Sequence, residues 1–120
     1  PALIGLTGCN ADVSEVMSIN LMANQTASLL VTGEPVQTDI LNYGPGDVGV
    51  VVKRGNGSVS QEQVITGMNN LLLETTDVNS IVLTNVSGDE AKLKVRALNH
   101  TRVTVNGPTD LPRPEATPQR

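Results

Sequence analysis

Residues 91–97 read AKLKVRA, and this stretch decides the fold class of the chain. Small or aliphatic residues alternate here with three cations, in the order Ala91, Lys92, Leu93, Lys94, Val95, Arg96 and Ala97. A period of two is typical of a β-strand with one face in the core and the other in water. Because a slip of one residue would bury the three cations, the register of this strand is strongly specified.

The same period recurs along most of the chain, where helical spacing is hard to find. It predicts strands at 17–21, 28–32, 36–40 and 48–52, shorter ones at 63–66, 70–74 and 79–85, and a final strand at 101–105. Turn residues lie between these segments, at 23–25 for example, and Asn56-Gly57 is the strongest hairpin dipeptide. We therefore predict an all-β fold: an antiparallel β-sandwich or barrel of about eight short strands, immunoglobulin-like or jelly-roll-like.

Composition divides the 120 residues into three parts. Residues 1–12 are predicted to form an apolar N-terminal arm that contains Leu3, Ile4 and Leu6. Residues 13–106 form the β-sandwich domain, and a single core suits a domain of this size. Residues 107–120 mix proline with charged and polar residues, so we expect an extended tail that packs poorly unless a partner holds it.

Leu6-Thr7-Gly8-Cys9 matches the bacterial lipobox, in which the cysteine thiol is acylated. A signal peptide also needs a basic region and an apolar stretch of about 7 to 15 residues before the motif. Only Pro1 to Gly5 precede it here. The favoured interpretation is a chain made in the cytoplasm, from which an initiator methionine was removed before Pro1.

The chain has few of the residue types that carry chemistry. It contains one histidine, His100, one cysteine, Cys9, and one aromatic residue, Tyr43. Catalytic and metal-binding sites need several groups in a defined geometry, which this inventory does not supply within one protomer. We therefore predict no enzymatic activity, no cofactor and no metal, with His100 as a turn residue and Cys9 as a small hydrophobe in the arm.

Charge and hydropathy restrict the partners. The net charge is −4, whereas nucleic-acid binding needs clustered lysine and arginine, so no nucleic-acid partner is predicted. No apolar run approaches about 20 residues, so no transmembrane helix and no membrane partner are predicted either.

Two groups of charged residues admit more than one interpretation. Lys92, Lys94 and Arg96, here called the cationic row, are interpreted as a solvated outer face that protects a sheet edge, or as a docking site for an acidic partner surface. Asp77 to Ser80 and Asp89-Glu90 offer oxygen ligands of the kind that bind calcium, but they lack the spacing of a dedicated calcium loop. Turn formation accounts for both acidic segments.

The middle of the chain resembles small virion proteins of tailed bacteriophages. The likeness covers about half of the chain and is carried by residues 39–44, 47–52, 67–74, 80–88 and 91–98. These segments give a strand with an Asn-x-Gly turn, a Val-rich strand, a glycine-led strand and a closing hairpin with an alternating strand. Capsid decoration (cement) proteins and neck or tail-fibre modules belong to this group, so the resemblance implies a non-enzymatic β-sandwich in a virion.

The resulting prediction is a phage capsid decoration protein that binds the outer surface of the shell and stabilises it by bridging capsid subunits. Its partners would be the major capsid protein or another virion protein and further copies of itself, with a trimer favoured. We expect it to be made in the host cytoplasm and to reside on the capsid surface. The candidate partner-binding residues are Leu3, Ile4, Leu6, Lys92, Lys94 and Arg96. The alternative is a neck, collar or tail-fibre module that binds a protein or a carbohydrate, with Tyr43 available to stack on a sugar.

Overall fold

The computed structural model describes residues 13–110, which are folded into β-strands joined by short turns. The strands are β1 (Val13–Leu21), β2 (Gln25–Thr32), β3 (Val36–Asn42), β4 (Val48–Arg54), β5 (Val59–Ile65), β6 (Asn69–Thr75), β7 (Val78–Asn85), β8 (Ala91–Leu98) and β9 (Arg102–Asp110). The prediction of an all-β fold is confirmed. Within these residues there is no helix long and apolar enough to cross a membrane.

The strands form a four-stranded sheet, β1-β8-β3-β6, and a five-stranded sheet, β5-β4-β7-β2-β9. Every pairing is antiparallel, and β1 pairs with β8, β2 with β7, β3 with β6 and β4 with β5. These are the pairings of one long hairpin with its tip at the β4–β5 turn, folded so that successive strands alternate between the two sheets. This winding is that of a jelly roll, to which β9 adds a strand beside β2.

The immunoglobulin-like alternative does not fit this topology. In an immunoglobulin sandwich several successive strands lie side by side in one sheet. Among the strands described for this chain, β4 and β5 are the only successive pair that hydrogen-bond to each other. The fold is therefore a pair of packed sheets with the jelly-roll strand order.

The core lies between the two sheets and is aliphatic. Its largest fully buried side chains are Leu21, Leu29, Ile40, Ile81, Leu83 and Leu93. The predicted alternation in β8 is confirmed, because Ala91, Leu93, Val95 and Ala97 are fully buried while the cations lie on the outer face. Branched aliphatic side chains fit a pleated surface and fill the space of about 10 Å between packed sheets without any aromatic ring.

Several boundaries differ from the predicted ones. β2 begins at Gln25, inside the predicted turn at 23–25, and β5 spans Val59–Ile65 instead of 63–66. β9 continues to Asp110, so its last four residues belong to the segment assigned to the tail. The rest of that segment, and the arm with Leu3, Ile4, Leu6 and Cys9, lie outside the described residues.

Candidate functional site

The cationic row lies along the outer face of the four-stranded sheet. The interpretation of these cations as protection of a sheet edge is wrong, because β8 lies between β1 and β3. Lys94 and Arg96 are exposed and Lys92 is half-buried. The row is therefore a feature of an open sheet face.

The structure separates Arg96 from the two lysines. Arg96 forms an ion pair with Asp39, whose buried carboxylate also accepts a hydrogen bond from Asn70 Nδ2 at 3.1 Å. This is the one ion pair between side chains in residues 13–110, so neither Lys92 nor Lys94 has a carboxylate partner there. Arg96 compensates a buried charge, while the lysines are available to a partner.

Four loops gather at one end of the sandwich, which we call the loop end. They are residues 22–24, 43–47, 66–68 and 86–90, and they connect β1 to β2, β3 to β4, β5 to β6 and β7 to β8. Tyr43 N donates to Lys92 O at 2.9 Å, so the cationic row begins where the loop end meets the four-stranded sheet. The two features form one continuous surface.

A buried amide, Asn42, fixes one half of the loop end. Its Nδ2 donates to the carbonyl oxygens of Gly46 at 2.6 Å and Ile65 at 3.1 Å. Its Oδ1 accepts from Gly44 N at 3.2 Å. The amide thereby ties the 43–47 loop to the end of β3, where Asn42 lies, and to the end of β5.

A second buried amide, Asn85, fixes the other half in the same way. Its Nδ2 donates to the carbonyl oxygens of Leu21 at 2.8 Å and Asp89 at 2.6 Å. Its Oδ1 accepts from Ser87 N at 2.9 Å. Asp47 joins the halves, because its carbonyl oxygen accepts from Val86 N at 3.0 Å and its carboxylate from Gly67 N at 3.1 Å.

Glycines allow the loops to pack against each other directly. A Cβ atom on Gly44 would lie 2.7 Å from Lys92 N, and one on Gly67 would lie 2.8 Å from Gly44 O. A Cβ atom on Gly46 would overlap the carbonyl oxygen of Asp89. The loop backbones therefore leave no room for a side chain at these three positions.

Each of the four loops carries one exposed large apolar side chain. The exposed fractions are 54% for Met22, 41% for Tyr43, 74% for Met68 and 59% for Val86. Met68 also has a positive φ of 68°, a conformation that long side chains rarely adopt and that strained functional positions often show. Apolar groups held in water on a fixed backbone are typical of a binding surface.

The loop end was not predicted as a site. Its residues come from four turns far apart in the sequence, and the available signal was the placement of Tyr43 and Met68 in predicted turns. His100 lies exposed in the β8–β9 turn, as predicted. Among residues 13–110 no group of three His, Cys, Asp or Glu side chains could hold a metal ion.

The comparisons with known proteins bear on the fold. No protein-family model and no curated protein matches the chain. A solved structure of a protein named PirA superposes with a TM-score of 0.58 at 14% sequence identity, over 75% of this chain and 99% of that chain. At this level of identity the likeness shows a shared β-sandwich fold and nothing more.

Proposed function

We propose that this chain is a structural, non-enzymatic protein of a tailed-phage virion that decorates the outer surface of the capsid. The observation that carries the proposal is the loop end, where exposed apolar side chains sit on a fixed backbone beside Lys92 and Lys94. The resemblance of residues 36–98 to small phage virion proteins supports the same assignment.

The surface has the physical properties of a protein-docking site. Tyrosine and methionine are enriched in the cores of interfaces, where they bury a large area. Because Asn42 and Asn85 already hold the loops, binding requires little ordering of the backbone. Lys92 and Lys94 would steer the chain toward an acidic capsid surface and set its orientation.

The mechanism is a clamp made of many copies. A protein that binds only the assembled shell stabilises it by mass action. Copies that bridge neighbouring subunits, joined as a homo-oligomer for which a trimer is favoured, add avidity to each contact. In this proposal the major capsid protein or another virion protein is the partner, and the chain reaches the capsid surface from the host cytoplasm.

Co-sedimentation with purified tailed-phage capsids, before and after expansion, tests the proposal. We expect stoichiometric binding to shells and a loss of about tenfold or more in affinity for the double variant Lys92→Glu/Lys94→Glu. Lys53→Glu/Arg54→Glu is the matched control, because it makes the same change in charge on the five-stranded sheet. Unchanged binding by the Lys92→Glu/Lys94→Glu variant would contradict the assigned surface.

Exposed Tyr43 favours a second candidate, a neck, collar or tail-fibre module that binds a protein or a carbohydrate. Its ring is the one aromatic face in the chain on which a sugar can stack. Binding to a glycan array that disappears in Tyr43→Ala, or binding to a tail component and not to shells, would favour this candidate.

A further inference from the structure

The outer face of the five-stranded sheet carries a group of valines close to the loop end. Val64 and Val86 are exposed there, and Val51 and Val82 are half-buried on β4 and β7. Cross-strand register places Val51 beside Val82 and Gly49 beside Val64. These valines present aliphatic surface to water, and Glu62 borders it because it pairs with Val51.

A groove of about 490 Å³ opens on this face around Gly49. Val51, Val64 and Val86 provide most of its apolar lining, and Glu62, Gln63 and Thr84 add polar groups. The backbone of Gly49 forms the floor of the groove. A Cβ atom at this position would lie 3.4 Å from Val86 Cγ1, an ordinary contact distance, and would occupy part of the groove. The groove therefore exists because position 49 carries no side chain.

We propose that this groove binds Leu3, Ile4 and Leu6 of a second copy of the chain. Residues 1–11 contain no Asp, Glu, Lys, Arg or His, so placing them against the valines of the groove buries no charged side chain of the arm. Three aliphatic side chains close together in sequence suit an apolar slot on a strand surface. In this arrangement the groove of one copy binds the apolar arm residues of another copy.

The geometry favours exchange between copies over binding within one copy. Val13 pairs with Leu98, at the opposite end of the sandwich from the loop end, whereas Gly49 lies one residue from the Val48–Asn85 pair beside it. β4 is also three strands away from β9, the edge nearest to β1. With strands about 4.8 Å apart and sheets about 10 Å apart, the path over the surface is about 35 Å or more.

The arm is too short to cover that path with all three residues. At about 3.3 to 3.6 Å per residue, Leu6 lies no more than about 25 Å from Val13. Leu3 could approach its own groove only in a fully stretched chain, with Leu6 left well short of it. In a second copy no such restriction applies, and reciprocal exchange closes a dimer or a ring.

The contact between groove and arm would join the copies of the proposed homo-oligomer, so in that respect this inference rests on the proposed function. Sedimentation velocity on the full chain alone, from micromolar to millimolar concentration, tests it without any capsid. We expect a closed oligomer whose mass is a multiple of 12.6 kDa. We also expect methyl NMR signals of Val64 and Val86 to shift as it forms.

Two variants address the two sides of the contact. Gly49→Val fills the groove with a residue that suits a strand, so we expect it to fold at least as stably as the parent while association weakens about tenfold or more. Leu3→Asp/Leu6→Asp should weaken association to a similar degree. The matched controls are Gly55→Val, in an open turn at the far end, and Thr7→Asp/Asn10→Asp, which adds the same charge to the arm.

The outcomes are separable. A monomer at every concentration, or association that survives Gly49→Val or Leu3→Asp/Leu6→Asp, would overturn the inference. If the controls weaken association as much as the test variants, the groove is not the binding site and the inference also fails. Shell binding is measured separately through Lys92 and Lys94, so either proposal can fail while the other stands.

Discussion

At the scale of single residues, two buried threonines differ in one hydrogen bond. Thr38 and Thr101 are both fully buried. Thr101 Oγ1 accepts from Gln37 N at 2.7 Å, whereas Thr38 Oγ1 has no hydrogen-bond partner. A buried polar atom without a partner lowers stability, because it has lost water and gained nothing.

The same substitution should therefore have opposite effects at the two positions. We expect Thr38→Val to raise the free energy of unfolding by about 1 kcal/mol, since it removes an unpaired hydroxyl without changing shape. Thr101→Val should lower it by about 1–2 kcal/mol, because the Gln37 N–H loses its acceptor. Urea unfolding of the two variants beside the parent measures both values, and changes of the same sign would contradict the assignment.

The residues of the candidate site show what a sequence can reveal at this scale. The alternation in 91–97 predicted correctly that Lys92, Lys94 and Arg96 face outward. The pattern did not distinguish Arg96 from the two lysines. The difference arises from the ion pair between Arg96 and Asp39, and Asp39 lies on another strand. Partners brought in by long-range pairing carry no local signal.

At the scale of elements, the loop end depends on backbone contacts that glycine permits. Gly46 and Gly88 lie in neighbouring loops of this end and neither has a positive φ. A Cβ on Gly46 would overlap Asp89 O, whereas a Cβ on Gly88 would meet nothing within 4 Å. The two glycines therefore form a matched pair.

We expect Gly46→Ala to lower the free energy of unfolding by about 2–3 kcal/mol, since backbone must move to admit the methyl group. Gly88→Ala should change it by no more than about 0.5 kcal/mol. Thermal and urea unfolding provide the measurement. A neutral Gly46→Ala would show that the 43–47 and 86–90 loops are not held as tightly as described.

The sequence pattern located a strand most accurately where one face of that strand is buried. β4 and β8 were located correctly, because burial on one side imposes the alternation that sequence patterns detect. β5 is an edge strand with one buried residue, Ile65, so most of its positions are free to be polar and the pattern fades. β9 contains Gly107-Pro108, a dipeptide that is typical of turns and predicts the end of a strand. The strand continues through it because β9 lies at a sheet edge, where proline is tolerated.

At the scale of the whole molecule, stability should be distributed unevenly across the sheets. β7 lies inside the five-stranded sheet, between β4 and β2, and buries Val78, Ile81 and Leu83. β5 hydrogen-bonds to one neighbour and buries Ile65 alone. Strands with few buried contacts open at low free energy, while central strands open with the whole fold.

Hydrogen exchange should reproduce this order. We expect backbone amides of β5 to exchange about 100-fold faster or more than those of β7, through local opening that leaves the sandwich intact. Exchange measured by NMR or mass spectrometry on the full chain tests this. Equal protection of the two strands would mean that β5 does not open independently.

The winding of the chain was the part of the fold that the sequence left open. Both an immunoglobulin sandwich and a jelly roll satisfy the alternation, and the choice between them rests on pairings such as β1 with β8, which lie far apart in sequence. The loop end has the same origin, because its four loops become neighbours only after that winding.

The direction of the outer strands has a mechanical consequence. β1 begins at the end of the sandwich opposite the loop end, and β9 finishes near the loop end, where Asp110 pairs with Gln25. A force applied between Val13 and Asp110 therefore pulls along the strand axes, at right angles to the hydrogen bonds that join β1 to β8 and β9 to β2. Under that load the hydrogen bonds are sheared together, so we expect the domain to resist this force more strongly than a force that separates two strands one hydrogen bond at a time.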